Sequence, residues 1–353
     1  MQTEKEIFGD RLTQIESILS QALPEQINKK WKSQSFGILP DSVTEEHLQE
    51  LTHPCRHLFT SGGKRWRPLL LILCAEATAQ RTKRSCDVAY QVTPLVEFTH
   101  TASLIHDDIE DCADTRRGKP AAHITYGIDR ALNAASWLYF EAGACINALP
   151  ISDEEKVRLY ALYTNELRRL HLGQAMDIRW HRTPALIPSI EEYYAMVRSK
   201  TGTLASLAAQ AGVLVAGGTQ EDAVQAGTLA AEIGIGFQIL DDVQNLTTGN
   251  PGKKRGDDIV EGKKSLPLLL HIQSQPQDKE RLIADMQQAH NEGIDSPAVD
   301  HCITIMEQSD AITKAFNTGK DFVTTRSEIL SKTLGADNDL IQTLFLSMLP
   351  SLS

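Results

Sequence analysis

Apolar residues in this chain recur at helical rather than strand spacing nearly from end to end. Near the start, Ile7, Leu12, Ile15, Ile18, Leu19 and Leu23 form one amphipathic stripe that Pro24 terminates. Ser42-Val43-Thr44-Glu45 and Ser189-Ile190-Glu191-Glu192 read as capping boxes that open further helices. Turn signals fall at Ser61-Gly62-Gly63, Gly118-Lys119-Pro120, Thr183-Pro184, Gly217-Gly218, 249–256 and 293–297. The segments between them run mostly to roughly 15–30 residues, which suits long helices. No strand–turn–helix alternation is present, which argues against a nucleotide-binding α/β fold. The pattern predicts an all-α bundle of roughly ten or more helices. There is no repeat and no convincing linker, so residues 1–353 are expected to form a single domain.

One stretch departs from the pattern. Residues 247–264 are rich in Gly and Lys, and the sequence predicts that they stay out of the core. Composition alone makes this a solvated surface loop. Its place directly after an aspartate cluster favours a lid that folds onto bound phosphate.

Composition narrows the function. A net charge of −11 argues against general nucleic-acid binding or attraction to anionic lipid. Cys55, Cys74, Cys86, Cys112, Cys145 and Cys302 are scattered, with no CxxC pair and no histidine at zinc spacing. They predict reduced, mostly buried thiols in a cytoplasmic protein. The first six residues lack the basic start and apolar stretch of a signal peptide. Continuous apolar runs such as Leu69–Ala75 are too short to span a bilayer, so no membrane span is expected.

The chemistry concentrates in two aspartate clusters, each followed by a basic run. The first is Asp107-Asp108-Ile109-Glu110-Asp111, ahead of Arg116-Arg117-Gly118-Lys119. The second is Asp241-Asp242-Val243-Gln244-Asn245, ahead of Lys253, Lys254, Arg255 and Lys263. The outer residues of each cluster are four apart, so on a helix they share a face. Hard carboxylate oxygens suit Mg²⁺ ions that also hold a substrate's phosphates. The basic residues suit the phosphates themselves. A lone acidic run on a helix is usually just a solvated face; two such clusters, each at the end of an apolar stretch, point to a magnesium–diphosphate enzyme.

The chain resembles the trans-prenyl diphosphate synthases, or polyprenyl synthetases, over about residues 55–270. The resemblance rests on Gly63-Lys64-Arg65-Trp66-Arg67-Pro68, both aspartate motifs, Gly173-Gln174 with Asp177, Lys200-Thr201, Phe237-Gln238, and Glu261-Gly262-Lys263. It implies the isoprenoid synthase fold with a central active-site cavity. The N-terminal helix (1–45) would be peripheral, 55–270 would carry the motifs, and 271–353 would add C-terminal helices. It further implies a homodimer, isopentenyl and allylic diphosphate substrates, and roughly three Mg²⁺ ions with bound diphosphate. The implied metal ligands are Asp107, Asp111 and Asp241, with Asp108, Asp242 and Asn245 acting behind them or through water. Arg116, Lys200, Lys253 and Lys263 would contact the allylic diphosphate. Lys64, Arg67, His100 and Arg117 would receive isopentenyl diphosphate. The Lys200 carbonyl and the side-chain oxygens of Thr201 and Gln238 would face an allylic cation. His106 and His123 read as structural, and Gln174 and Asp177 either link helices or act directly.

The resemblance also bears on product length. In this family the growing chain runs beside the helix carrying the first motif, and bulky residues just before that motif stop it. Here those positions are Ala102 and Ser103, both small. Residue 102 lies ~7–8 Å along a helix from Asp107. The nearest likeness is to geranylgeranyl diphosphate synthases, which implies a C20 product, with farnesyl or longer products as the alternative. A terpene cyclase would share the scaffold but usually carries an Asn/Ser/Glu triad, which 241–249 do not match. A silent partner subunit would tend to lose the metal aspartates, and both sets are present here.

Overall fold

The computed structural model describes residues 4–249, 254–335 and 339–350. Lys253 therefore lies outside the described residues. The helices are α1 (Glu4–Ala22), α2 (Lys29–Phe36), α3 (Glu45–Phe59), α4 (Trp66–Thr82), α5 (Asp87–Glu110), α6 (Ala122–Tyr126), α7 (Ile128–Ala144) and α8 (Asp153–His181). They continue as α9 (Ile190–Val197), α10 (Thr203–Val215), α11 (Gln220–Thr247), α12 (Asp257–Val260), α13 (Leu266–Ser274), α14 (Lys279–Glu292), α15 (Pro297–Gln308), α16 (Ala311–Leu334) and α17 (Leu340–Ser347). The all-α expectation holds. Among the described residues, strand is confined to a small hairpin, Thr115–Arg116 paired with Lys119–Pro120. Its central residues, Arg117 and Gly118, both have positive φ, as a two-residue type I′ turn requires.

Contacts divide the chain into two compact units, each assembled from separate stretches of sequence. A division of that kind leaves no linker to read, because the chain enters each unit more than once. The first unit comprises Met1–Asn165, Leu207–Gly227 and Leu334–Leu340. In it α5 packs on α7, α4 and α1, and α3 packs on α7. The sequence reading makes residues 1–45 peripheral, yet α1 is a core element of this unit. Phe8, Ile15, Leu19 and Leu23 are fully buried, and Arg11 pairs with Glu76 of α4 at 2.8 Å. The apolar stripe predicted from the sequence is what carries α1 inward.

The second unit comprises Glu166–Ser206, Thr228–Thr333 and Ile341–Ser353. Its core includes Tyr193, Val197, Ile239, Val243, Ile259 and Leu266. The capping box predicted at Ser189 is present, with Ser189 and Glu192 exchanging side chain-to-backbone bonds. Helix α11 is long and apolar enough to cross a bilayer by length and composition, but 61% of its apolar window is buried within the protein. Counting uninterrupted apolar runs passes over it, because Gln225, Thr228, Glu232 and Gln238 interrupt its apolar residues.

Residues 254–264 also differ from the expectation of a solvated loop or lid. Asp258, Ile259 and Lys264 are buried, and α12 packs on α14 and α15. Gly256 makes this possible. It sits at φ +87, and a Cβ there would meet Val299 at 2.4 Å. Arg255 and Lys254 face Glu307 and Asp295 rather than standing free for phosphate.

Candidate active site

The first unit holds the first aspartate motif at the C-terminal end of α5. Asp107, Asp108, Glu110 and Asp111 crowd the negative end of the helix dipole, with no basic residue in the last turn. Such a cluster is unfavourable unless cations answer it. Consecutive residues point about 100° apart on a helix, so adjacent aspartates are sorted by burial. Asp107 is partly exposed while Asp108 is buried at 1% exposure. Arg116 answers Asp108 with Nε at 2.7 Å and lies 3.4 Å from Asp107. Burial raises the Asp108 pKa, and Arg116 opposes that rise. Asp108 Oδ2 remains buried without a hydrogen-bond partner.

A basic pocket forms in the same unit. Gly63, at φ +145, lies beneath the Arg117 guanidinium, which is 3.0 Å from where its Cβ would be. Arg117 also donates to the Gly62 carbonyl. Lys64 is exposed in this turn. Arg67 Nη1 lies 3.3 Å from His100 Nε2, so that nitrogen acts as an acceptor and the imidazole is neutral. Burial, then Arg67 and Arg117, hold the His100 pKa well below its ordinary value. Burial lowers Arg67 to about 10, and its Nε is buried without a partner. Concentrated positive charge with unsatisfied donors is what an anion would complete. The structure thus brings Arg67, His100 and Arg117 together, with Lys64 exposed in the adjoining turn.

The second unit holds the other motif at the end of α11. Here too the first aspartate faces out and the second inward: Asp241 is exposed and Asp242 is buried. Asp242 accepts from Tyr193 Oη at 2.7 Å and from Gln238 Nε2 at 3.0 Å. Burial, then the neighbouring Asp258, raise its pKa to about 7. Gln238 Oε1 in turn accepts from Thr201 Oγ1 at 2.8 Å. Thr201 and Lys200 lie on a π-helical turn, Arg198–Gly202, between α9 and α10. That wide turn packs backbone to backbone on its neighbours: a Cβ on Gly173 would meet Lys200 N at 2.3 Å, and one on Gly202 would meet the Ala231 carbonyl at 2.7 Å. Lys200 Nζ reaches Asp177 at 2.6 Å. Asn245 is fully buried, and its Oδ1 accepts from Asp258 N at 3.2 Å. Asp242 and Asn245 therefore stand behind the motif's outer face and brace it. Lys263 pairs with Glu261 at 2.6 Å.

Among the described residues, no group of three or more His, Cys, Asp or Glu side chains is gathered as a ready-made metal cage. Mg²⁺ does not require one, since it keeps waters and takes one or two carboxylates plus substrate phosphates. Each unit offers carboxylates of that kind: Asp107, with Asp111 one turn on and the unpartnered Asp108 Oδ2, in the first, and outward-facing Asp241 in the second.

Sequence reading passed over Arg65, Glu97 and Tyr193, three buried polar residues that brace these groups. For Arg65 and Glu97 a signal was available: one lies between Lys64 and Arg67, and the other is three residues before His100 on the same helix. Tyr193 carried none, because its partner is 49 residues away.

These features define a class first. The chain covers 97% of the geranylgeranyl pyrophosphate synthetase of Pyrococcus horikoshii Ot3 with 97% of its own length, at a TM-score of 0.77 and 26% identity. It thus has the all-α isoprenoid synthase fold. Residues 48–305 match the polyprenyl synthetase family, and the chain belongs to that family of prenyltransferases. A geranylgeranyl pyrophosphate synthase of Neocamarosporium betae is 32% identical over 295 residues, spanning 83% of this chain and 81% of the relative. Geranylgeranyl pyrophosphate synthase 2 of Zymoseptoria tritici is 37% identical over 255 residues, 71% of each chain. The family and fold expected from the aspartate motifs are borne out.

Proposed function

We propose that this protein condenses isopentenyl diphosphate with an allylic diphosphate, head to tail, and makes mainly geranylgeranyl diphosphate. The observation that carries this is the repeated arrangement of outward Asp107 and Asp241 over inward Asp108 and Asp242, with half-buried Arg67, Arg116 and Arg117 beside the first pair. The names of the relatives support C20, and so does the small side chain at Ala102.

Asp107, Asp111 and Asp241 would hold magnesium, three ions by resemblance to the family. Bound magnesium supplies the positive charge that lets pyrophosphate leave. Arg116, Lys200 and Lys263 contact the allylic diphosphate. For Lys200 and Lys263 this means exchanging Asp177 and Glu261 for phosphate oxygens. Lys253 is assigned the same role by resemblance. The allylic carbon–oxygen bond breaks with its electron pair on the pyrophosphate. Lone pairs of the Lys200 carbonyl, Thr201 Oγ1 and Gln238 Oε1 stabilise the cation. Lys64, Arg67, His100 and Arg117 hold isopentenyl diphosphate, whose double bond supplies the pair for the new carbon–carbon bond. The proton then lost passes to the departed pyrophosphate, so no protein base is needed.

A cytoplasmic homodimer is part of this reading. The apolar stripe Ile128, Leu132 and Phe140 on α7, 59%, 44% and 79% exposed, supports association with a second copy. The test is incubation with labelled isopentenyl diphosphate and separate C5, C10 and C15 allylic starters, with products sized by chromatography. A main C20 product is expected. Mainly C15 overturns the chain length, and no elongation from any starter overturns prenyl transfer.

A further inference from the structure

Arg65 is the least exposed basic side chain of the turn that carries Lys64 and Arg67, at 5%, and it reaches into the protein. Its Nε donates to Glu16 of α1 at 2.7 Å, its Nη1 to Glu97 of α5 at 2.7 Å, and its Nη2 to the Phe59 carbonyl at 2.7 Å. The guanidinium also lies 4.6 Å over the Phe59 ring. Every donating face of the fork is therefore used to tie three helices to one residue. The tie is needed because Arg65 sits at φ 50, a left-handed conformation that a non-glycine residue keeps only when its surroundings enforce it. Arg65 is also the residue from which α4 starts. Whatever fixes Arg65 fixes the direction in which Lys64 and Arg67 leave the turn.

We propose that Glu16, through Arg65, is a positioning residue for the isopentenyl diphosphate site, so that α1 serves substrate binding as well as packing. Glu97 is the second anchor, and it carries a further duty. It is buried at 3% exposure and faces Arg67 and Arg117 as well as Arg65. Glu97 neutralises Arg65, and the positive charge left on Arg67 and Arg117 is free to meet an anion. Glu16 contributes geometry at the outer edge, where its side chain is 46% exposed.

This inference rests on the proposed assignment of Lys64, Arg67, His100 and Arg117 to isopentenyl diphosphate. Glu16 is the site to test, because its loss leaves Arg65 paired with Glu97 and Phe59, so the fold survives. With Mg²⁺ saturating, Glu16→Ala should raise the KM for isopentenyl diphosphate about threefold to tenfold, as for loss of one hydrogen bond. The KM for the allylic substrate should stay put. Glu16→Gln keeps an acceptor oxygen for Arg65 Nε and should restore most of the affinity. An unchanged isopentenyl KM in Glu16→Ala overturns the proposal. So does an equal rise in both KM values, which a merely loosened fold would give. Arg67→Ala separates this failure from that of the underlying reading. If Arg67→Ala raises the isopentenyl KM and Glu16→Ala does not, only the role of α1 falls. If Arg67→Ala raises the allylic KM alone, the site assignment falls with it.

Discussion

Tyr193 donates its hydroxyl hydrogen to Asp242 Oδ2 at 2.7 Å, and that contact decides which way the Gln238 amide faces. With Asp242 held, Oδ1 takes the Gln238 N–H, so the amide oxygen must turn to Thr201. Tyr193→Phe would leave Asp242 Oδ2 with only the Leu266 N–H, at 3.4 Å. We expect kcat to fall about tenfold, the scale of one hydrogen bond to a charged group, with both KM values little changed. Steady-state kinetics beside a melting curve checks this. An unaltered kcat in a folded variant removes Tyr193 from the catalytic arrangement.

Outward-facing aspartates should be indispensable. Asp107→Ala or Asp241→Ala is expected to lower turnover by several orders of magnitude while leaving the circular dichroism spectrum intact. Folding survives because removing one of several clustered carboxylates relieves repulsion. Chelation of divalent ions should abolish wild-type activity, and added Mg²⁺ should restore it. Near-normal turnover of either variant with excess Mg²⁺ would refute the metal assignment.

Product length is the most exposed expectation. Ala102 has no exposed surface, and His106 lies one turn further along the same face with its ring stacked on Tyr139 at 5.4 Å. Placing an aromatic ring at 102 competes with the terminal isoprene unit, at a strain of about 1–3 kcal/mol. Ala102→Tyr should shift the main product toward C15 while the diphosphate end still binds. An unchanged product distribution with activity retained would put the limit on other residues.

Lys264 predicts a pH effect of definite sign. It is 4% exposed, its Nζ donates to the Gly262 carbonyl, and burial lowers its pKa from 10.5 to about 8. The unfolded chain therefore holds this proton more tightly than the folded one. Stability contributed here rises as pH climbs from about 8 towards 10.5. Lys264→Met removes the buried charge, so it should stabilise the protein at pH 7 by about 1–2 kcal/mol and flatten that rise. Melting temperatures across pH 7–10 decide it; a Met variant no more stable than wild type refutes the burial cost.

The sequence revealed much of this molecule because its signals are local. Helical periodicity, the Ser189 capping box and both aspartate motifs each lie within a few residues, and each is found as expected. What escaped depends on distant pairings. Glu16 meets Arg65 49 residues later, and Lys200 is held by Asp177 across two helices. Residues 254–264 misled for a different reason: glycine and lysine content marks a loop only when nothing packs against it, and Val299 and Ile303 do so at Gly256. The burial of α1 was legible in its stripe, but a stripe does not name the surface that covers it.

The π-helical turn at Arg198–Gly202 makes length itself a constraint. A turn closed by i→i+5 bonds accommodates one more residue than the α-turns on either side. Deleting one residue there would let the turn relax to regular α geometry, with the flanking helices kept nearly in phase but the widened backbone between them lost. Thr201 would then lose Gln238, and Gly202 would leave the Ala231 backbone it rests against. A one-residue deletion would therefore withdraw the extra backbone that carries Thr201 and Gly202 to those partners, in a helix that stays otherwise intact.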